Sequence, residues 1–209
     1  MEQEYTSKQF KVAFNNYFEK LLNYFEGILN NGYKKHSSYN ERNEKLLHYG
    51  VMKGCYDLVE FLLNKGINPN VPDKDGNTAL HLAALKGDDK ILSLLLHNDA
   101  NINAMNEVSY TPLHVAAENK NKLVVENLLN NGANIHANDY IGNKPLHAAV
   151  RSIYNFDLAV NYITKVIDIL LERGTNINVT NNYGERKHSF VPRLDTLRVV
   201  CLVVGNTFA

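Results

Sequence analysis

The chain has 209 residues, and its 22 lysine and arginine side chains balance 22 aspartate and glutamate side chains. Because its formal net charge is zero, we expect neither nucleic acid nor an anionic membrane as a partner. Its two cysteines, Cys55 and Cys201, stand far apart in no metal-binding or redox spacing, which favours a reducing, cytoplasmic location. The N-terminal sequence lacks the apolar core of a secretory signal, and no apolar run reaches the ~18 residues of a membrane helix.

Residues 1–40 are predicted to form a separate helical segment. Its apolar residues recur at spacings of three and four, which places them on one helical face. These residues are Phe10, Phe14, Tyr17, Phe18, Leu21, Phe25, Ile28 and Leu29. We predict a capping helix that covers the open end of the structure that follows. A helix that binds a partner or lies on a membrane surface is the alternative. Residues 33–43 are predicted to be a polar linker.

From about residue 41 the chain repeats with a constant period. The segments TALHLAA, TPLHVAA and KPLHAAV begin at Thr78, Thr111 and Lys144, and a weaker match, KLLHYGV, begins at Lys45. A second apolar stretch follows each segment, as in FLLNKGINPN and NLLNNGANIH. Two helices this short are not stable alone, so each unit needs neighbours. We predict four units over about 41–71, 72–104, 105–137 and 138–179.

The third unit carries the most complete local signals. Thr111 is a favourable helix N-cap, and Pro112 follows at the first helical position, where its missing N–H costs nothing. Gly132 is expected in the left-handed conformation that ends the second helix. The predicted buried stripes are Leu113, Ala116 and Ala117 in the first helix, and Leu123, Val124, Leu128 and Leu129 in the second. Residues other than glycine stand at three positions where glycine is usual: Asp99, Ser109 and Lys120.

The fourth unit contains an insertion. The interval from Leu146 to Leu170 is longer by nine positions than the equivalent interval from Leu113 to Leu128, and the added residues lie within 151–164. We expect a longer second helix. Insertions in repeat proteins map to loops, and such loops often bind partners. A tolerated surface bulge is the alternative.

Residues 185–209 do not continue the repeat. Isoleucine is absent after Ile177, and three of the six arginines lie in this last segment. We therefore predict a divergent or truncated tail. A frameshifted or truncated gene and a divergent cap are the two explanations.

A 33-residue period built on Thr-Pro-Leu-His and alanine is typical of ankyrin repeats. Over about residues 41–184 the chain resembles an ankyrin-repeat protein. Its 30 asparagines resemble the composition of proteins from AT-rich genomes, such as those of intracellular bacteria, some protists or poxviruses. The resemblance implies an all-α solenoid of helix–turn–helix units with short β-hairpin-like loops. It also implies that the histidines of the repeated segment bond to the backbone and tie each unit to the next. These histidines are His48, His81, His114 and His147.

No motif in the sequence indicates catalysis. Phosphate-binding glycine loops, nucleophile elbows and cysteine–histidine pairs are absent. The acidic pair Asp88–Asp89 stands at a predicted helix start, where the helix dipole favours negative charge, so we expect it to act as a cap. We predict no enzyme activity, no cofactor and no metal site.

The resemblance implies that a protein partner is held by the hairpin tips and by the exposed faces of the first helices. The tip positions are Lys74, Asp75, Asn77, Glu107, Val108, Tyr110, Tyr140, Ile141 and Asn143, and the helix positions are Leu85, Lys86, Glu118, Asn119, Arg151 and Ser152. Tyr110 and Tyr140 are predicted to be exposed rings that flank a groove and play no part in folding.

The predicted function is therefore non-catalytic protein–protein interaction. A host-directed effector, delivered by a signal that the sequence does not reveal, is one form of it. The alternative is a structural fragment of a longer ankyrin-repeat protein whose activity lies in further C-terminal sequence. We expect a monomer unless the tail drives association.

Overall fold

The structure is a computed structural model that describes residues 38–151, 160–176 and 180–183. The chain divides into two units after Asn43, and the fold presented below is that of the second, Glu44–Ala209. Most of the predicted capping segment, the centre of the fourth-unit insertion and the C-terminal tail lie outside the described residues.

Within the described ranges the chain forms eight helices in four successive pairs, and no strand is assigned there. We call the first helix of a pair its A helix and the second its B helix. The A helices are α1 (Ser38–Met52), α3 (Ala79–Lys86), α5 (Pro112–Glu118) and α7 (Pro145–Arg151). The B helices are α2 (Tyr56–Asn64), α4 (Asp89–His97), α6 (Lys122–Asn130) and α8 (Val160–Glu172). The predicted all-α repeat solenoid is confirmed.

The core lies between neighbouring units. The A helices α3, α5 and α7 pack in succession, and so do the B helices α2, α4, α6 and α8. Leu80, Leu113, Leu92 and Leu128 are fully buried at these contacts. Each unit thus completes its hydrophobic core with side chains from the next, as expected for a repeat protein.

The local signals of the third unit are largely confirmed. Thr111 is the N-cap of α5, and Pro112 is its first residue. Asp99, Ser109 and Lys120 have φ angles of 61°, 58° and 61°, so all three non-glycine residues occupy the left-handed region, at positions where the sequence pattern expects glycine. The predicted cap at Asp88–Asp89 is also confirmed, because Asp88 Oδ1 accepts the N–H of Ile91 at 3.0 Å.

Two local predictions are wrong. Helix α1 begins at Ser38, inside the segment predicted as a polar linker. Leu123 is 66% exposed, whereas Val125 is fully buried. Leu123 lies one repeat period after the exposed Lys90, so its place in the repeat is a solvent position despite its apolar side chain.

Asparagines in the loops after the B helices link successive units. Asn70 Oδ1 accepts the N–H of Asn101 at 2.6 Å, and its Nδ2 donates to the Asp99 carbonyl at 2.9 Å. One unit later Asn103 Oδ1 accepts the N–H of Asn134 at 2.8 Å. These bonds satisfy backbone amides of the loops, which lie outside the hydrogen-bonding pattern of the helices.

Candidate partner-binding surface

Each hairpin tip is built around one carboxylate or amide side chain. Asp73 Oδ1 accepts the N–H groups of Asp75 at 2.9 Å and Asn77 at 2.8 Å. The Asp73 N–H donates in turn to the Asn77 carbonyl at 2.8 Å, which closes the hairpin. The same bonds recur around Asn106 and Asp139. The tips therefore share one geometry whatever side chains they display.

Backbone hydrogen bonds join successive tips. In each case the second residue of a tip donates its N–H to the carbonyl of the third residue of the preceding tip. The bonds are Glu107 to Asp75 at 3.3 Å, Tyr140 to Val108 at 3.4 Å, and Asn182 to Ile141 at 2.9 Å. The tips consequently form a continuous row from the second unit to the segment after the fourth.

The side chains of this row change from charged to apolar along the chain. The first tip exposes Lys74 and Asp75. Farther along, Val108 is 44% exposed, Tyr140 66% and Tyr183 72%, and Ile141 is half-buried. We call Val108, Tyr140, Ile141 and Tyr183 the tip patch. Tyr140 is bonded to Val108, and Ile141 to the residue before Tyr183, so the patch is contiguous.

Tyr183 is a tip residue that the sequence predictions do not include. Its segment, Asn-Asn-Tyr-Gly, matches the tip Asp-Lys-Asp-Gly that begins at Asp73, which places Tyr183 in the register of Asp75, Val108 and Ile141. The predicted tips stopped at the fourth unit because no further Thr-Pro-Leu-His segment follows. The turn sequence alone therefore identifies Tyr183 as a tip residue, although no Thr-Pro-Leu-His segment follows it.

Two predicted contact residues belong to the interior. Tyr110 is only 8% exposed, and its ring stacks on His114 with centroids 5.1 Å apart. Asn143 is buried as well, and its Nδ2 donates to Asp139 Oδ2 at 2.9 Å. The fifth residue of a tip lies at the hairpin base, where its carbonyl faces the preceding unit. The prediction that Tyr110 and Asn143 are surface residues, with Tyr110 and Tyr140 flanking a groove, is wrong.

The repeated histidines connect the hairpin bases. The backbone N–H of Thr78 points at His81 Nδ1 at 3.1 Å. Because an amide can only donate, Nδ1 accepts and the ring proton lies on Nε2, which donates to the Tyr110 carbonyl at 2.9 Å. His114 makes the same bond to the Asn143 carbonyl at 3.1 Å. The structural role predicted for these two histidines is confirmed.

Burial keeps these rings neutral. It lowers the pKa of His81 and of His114 below the ordinary value, and the hydrogen bond of each ring to a backbone carbonyl opposes that shift in part. Desolvation penalises a charged imidazolium in a packed interior. The two rings therefore act as neutral hydrogen-bond donors between units.

The exposed ends of the A helices complete the candidate surface. Leu85 is 42% exposed, and Lys86 and Asn119 are exposed, whereas Glu118 is half-buried. Asn119 Nδ2 donates to the Val115 carbonyl at 2.9 Å. The side chain of Arg151, which ends α7, and all of Ser152 lie outside the described residues.

Residues of the first unit join this surface and were not predicted. Met52 and Lys53 lie one repeat period before Leu85 and Lys86, and Met52 is 38% exposed. Tyr49, one turn earlier in α1, is 56% exposed. The repeat register could have identified all three, but the weak match of the first unit drew attention to the later tips.

Among the described residues, no three histidine, cysteine, aspartate or glutamate side chains come together in the manner of a metal site. In the same part of the chain, no helix has the length and hydropathy needed to cross a membrane.

A family model of ankyrin repeats, which contains three copies of the repeat, matches residues 11–106 and 103–181. A comparison with curated proteins finds no match. The family match begins at residue 11, within the segment predicted as a cap, so the point at which the repeats begin stays a prediction. Because the two matched ranges include most of the sequence and agree with the paired helices, this chain belongs to the ankyrin-repeat family.

Proposed function

We propose that the protein is a non-catalytic interaction module that holds a protein partner on the tip patch and the neighbouring A-helix ends. Ankyrin repeats are generally protein–protein interaction modules. The observation that supports this surface is the contiguous exposure of Val108, Tyr140 and Tyr183 on tips joined by backbone hydrogen bonds. The proposed working form is a cytoplasmic monomer, and net neutrality favours a protein partner over nucleic acid or lipid.

The tip patch is not required by the turn that carries it. The first tip forms the same hydrogen bonds with Lys74 and Asp75 at the equivalent positions. Apolar side chains at the later tips therefore add exposed surface without improving the hairpin. Contiguous exposed apolar surface is characteristic of binding sites, and tyrosine is enriched among interface residues that dominate affinity.

The backbone bonds between tips also favour tight binding. Side chains on a loop that must become ordered impose an entropic cost on association. Here the Tyr140 N–H donates to the Val108 carbonyl, and Asp139 Oδ1 accepts two backbone N–H groups of its own tip. These hydrogen bonds hold the tip in place in the absence of a partner. A partner meets a surface that is already ordered.

The test compares two variants that each remove two exposed apolar side chains. The first is Tyr140→Ser with Tyr183→Ser, and the control is Tyr56→Ser with Leu123→Ser on the B helices. Immobilised proteins are incubated with cytosolic extracts, and captured proteins are quantified by mass spectrometry. We expect the first variant to capture at least about tenfold less of the specifically bound protein, which is the effect expected for the loss of central aromatic anchors. The control should capture as much as the unchanged protein. Equal retention by both variants contradicts the proposal.

A host-directed role is the finer form of this proposal. Bacterial lysate and eukaryotic cytosol are therefore tested side by side. We expect a partner that depends on Tyr140 and Tyr183 to come from the eukaryotic extract. A dependent partner found only in the bacterial lysate contradicts the host-directed form and leaves the binding function intact.

A further inference from the structure

The A helices of the first two units carry a surface distinct from the tip patch. Lys45, Tyr49 and Met52 of α1 and Lys53, which follows its last residue, are spaced at four, three and one residues. The Lys53 N–H donates to the Tyr49 carbonyl, so all four lie on one helical face, and all four are exposed. Leu85 and Lys86 in α3 occupy the register of Met52 and Lys53. We call Tyr49, Met52, Lys53, Leu85 and Lys86 the inner-helix patch.

The turns that follow these helices approach the next unit, which places the two parts of the patch in neighbouring units. A β-carbon built on Gly54 would lie 3.7 Å from Asp88 Oδ2 in the next unit. One built on Gly87 would lie 2.8 Å from Asn121 Oδ1, and Asn121 Nδ2 donates to the Ala84 carbonyl at 2.7 Å. Lys53 precedes Gly54 and Lys86 precedes Gly87, so the two lysines occupy equivalent positions in neighbouring units.

Positive charge predominates in the second half of α1, in α3 and α5 and in the turns that follow them, although the whole chain is neutral. In residues 45–54, 79–87 and 112–120, the charged side chains are Lys45, Lys53, Lys86, Lys120 and Glu118, four positive and one negative. Exposed carboxylates occur instead on the tips and B helices, at Asp57, Asp75 and Glu107. The ends of these A helices thus carry a local excess of positive charge, whereas the tips and B helices carry both signs.

One lysine of the patch lies over an aromatic ring of the same patch. Lys53 Nζ lies 5.6 Å from the centroid of the Tyr49 ring. In the part of the chain that the structure describes, neither Lys53 nor Lys86 forms an ion pair with a carboxylate. Two cations beside Tyr49, Met52 and Leu85 offer charge and apolar contact together.

We propose that the inner-helix patch binds an acidic amphipathic segment of the partner protein. Aspartate or glutamate residues of the segment pair with Lys53 and Lys86, and its leucine or phenylalanine residues contact Tyr49, Met52 and Leu85. Charge complementarity supports this class of partner, since it steers association and excludes basic competitors. The exposed carboxylates of Asp75 and Glu107 oppose a continuous nucleic-acid backbone. This inference rests on the proposed protein-binding function.

The probe is a phage-displayed library of random linear peptides, selected on the full chain. We expect enriched peptides to combine Asp or Glu with Leu or Phe. A synthetic copy of an enriched peptide should bind about tenfold more weakly to the variant Lys53→Glu with Lys86→Glu, and more weakly in high salt. The matched control, Lys65→Glu with Lys165→Glu, makes the same change in net charge at the C-cap of α2 and within α8, and it should retain the affinity. Circular dichroism confirms that both variants are folded.

Several outcomes overturn the inference. They are enrichment of neutral or basic peptides, failure to enrich any peptide, and an equal loss of affinity in the control. If single-stranded DNA at the same concentration of negative charge displaces the peptide, the surface binds polyanions in general. This outcome also overturns the inference. The tip variant Tyr140→Ser with Tyr183→Ser separates the two proposals. If it captures partners normally while the acidic peptide depends on Lys53 and Lys86, the tip proposal fails and this inference stands.

Discussion

Tyr110 and Tyr140 lie on successive hairpins and have opposite surroundings. Tyr110 is 8% exposed and stacked on His114, whereas Tyr140 is 66% exposed at a tip. Tyr110 is the fifth residue of its hairpin, and Tyr140 is the second residue of the next. The position within the repeat, rather than the residue type, therefore decides whether a side chain stabilises the stack or faces a partner.

The largest expected effect tests this difference directly. Tyr110→Ala should lower the free energy of unfolding by roughly 3–5 kcal/mol, because it removes a buried aromatic ring between units. Tyr140→Ala should change it by less than about 0.5 kcal/mol, as at other exposed sites. Urea denaturation measures both. Similar values for the two variants would remove the distinction between hairpin base and tip.

The same contrast exists within α6. Leu128 is fully buried, so Leu128→Ala should cost about 2–5 kcal/mol by leaving a cavity. Leu123, which is 66% exposed, should tolerate alanine with a change of less than about 0.5 kcal/mol. Guanidinium unfolding followed by circular dichroism tests the pair. A stable Leu128→Ala protein would contradict the shared core between units.

Acid should loosen the contacts between the hairpin bases. The folded-state pKa values of His81 and His114 lie below the ordinary value of 6.5. The stabilisation is therefore complete above 6.5 and is lost as the pH falls from there toward the folded-state values. We expect the urea midpoint to fall between about pH 6.5 and pH 5, a range in which ordinary carboxyl groups stay ionised.

A variant identifies the source of that dependence. Replacing His81 and His114 by asparagine should lower stability at neutral pH and flatten its slope across the same range, because asparagine does not titrate there. An unchanged slope would assign the acid sensitivity to other groups.

The smallest expected effect concerns the turn beneath Val108. Ser109 has a φ of 58°, a conformation that strains a residue with a β-carbon. Ser109→Gly should raise the free energy of unfolding by roughly 1 kcal/mol, whereas Ser109→Ala, which keeps the β-carbon, should leave it nearly unchanged. Thermal unfolding of the two variants decides the matter, and a destabilised Ser109→Gly protein would show that the turn is not strained.

The sequence predicted the features that depend on local chemistry. Thr111 and Pro112 start α5, Asp88 caps α4, and Asp99 adopts the left-handed conformation, because each depends on only a few neighbouring residues. The bond from His81 to the next unit followed from the family resemblance.

The errors arose where hydrophobicity was considered without the repeat register. Leu123 is predicted to be buried because it is apolar, and Tyr110 is predicted to be exposed because it lies in a loop. The burial of each side chain instead depends on its position in the repeat, which decides whether a neighbouring unit packs against it. Aligning Leu123 with Lys90 would have corrected the first error. Correcting the second error requires the hydrogen bond between the Tyr110 carbonyl and His81, which the spacing of apolar residues in a helix does not reveal.

The asparagine loops have a consequence for how such a chain can grow. In the second unit, the Asn101 N–H donates a hydrogen bond to the preceding unit, and Asn103 Oδ1 accepts one from the following unit. A copy of the second unit, duplicated in register, would therefore supply the loop hydrogen bonds that both neighbours require. The nine extra residues of the fourth unit leave the row of tips intact, since the bond from Asn182 to Ile141 persists across them. Gene duplication can thus lengthen this protein one complete unit at a time, while the displayed side chains diverge afterwards.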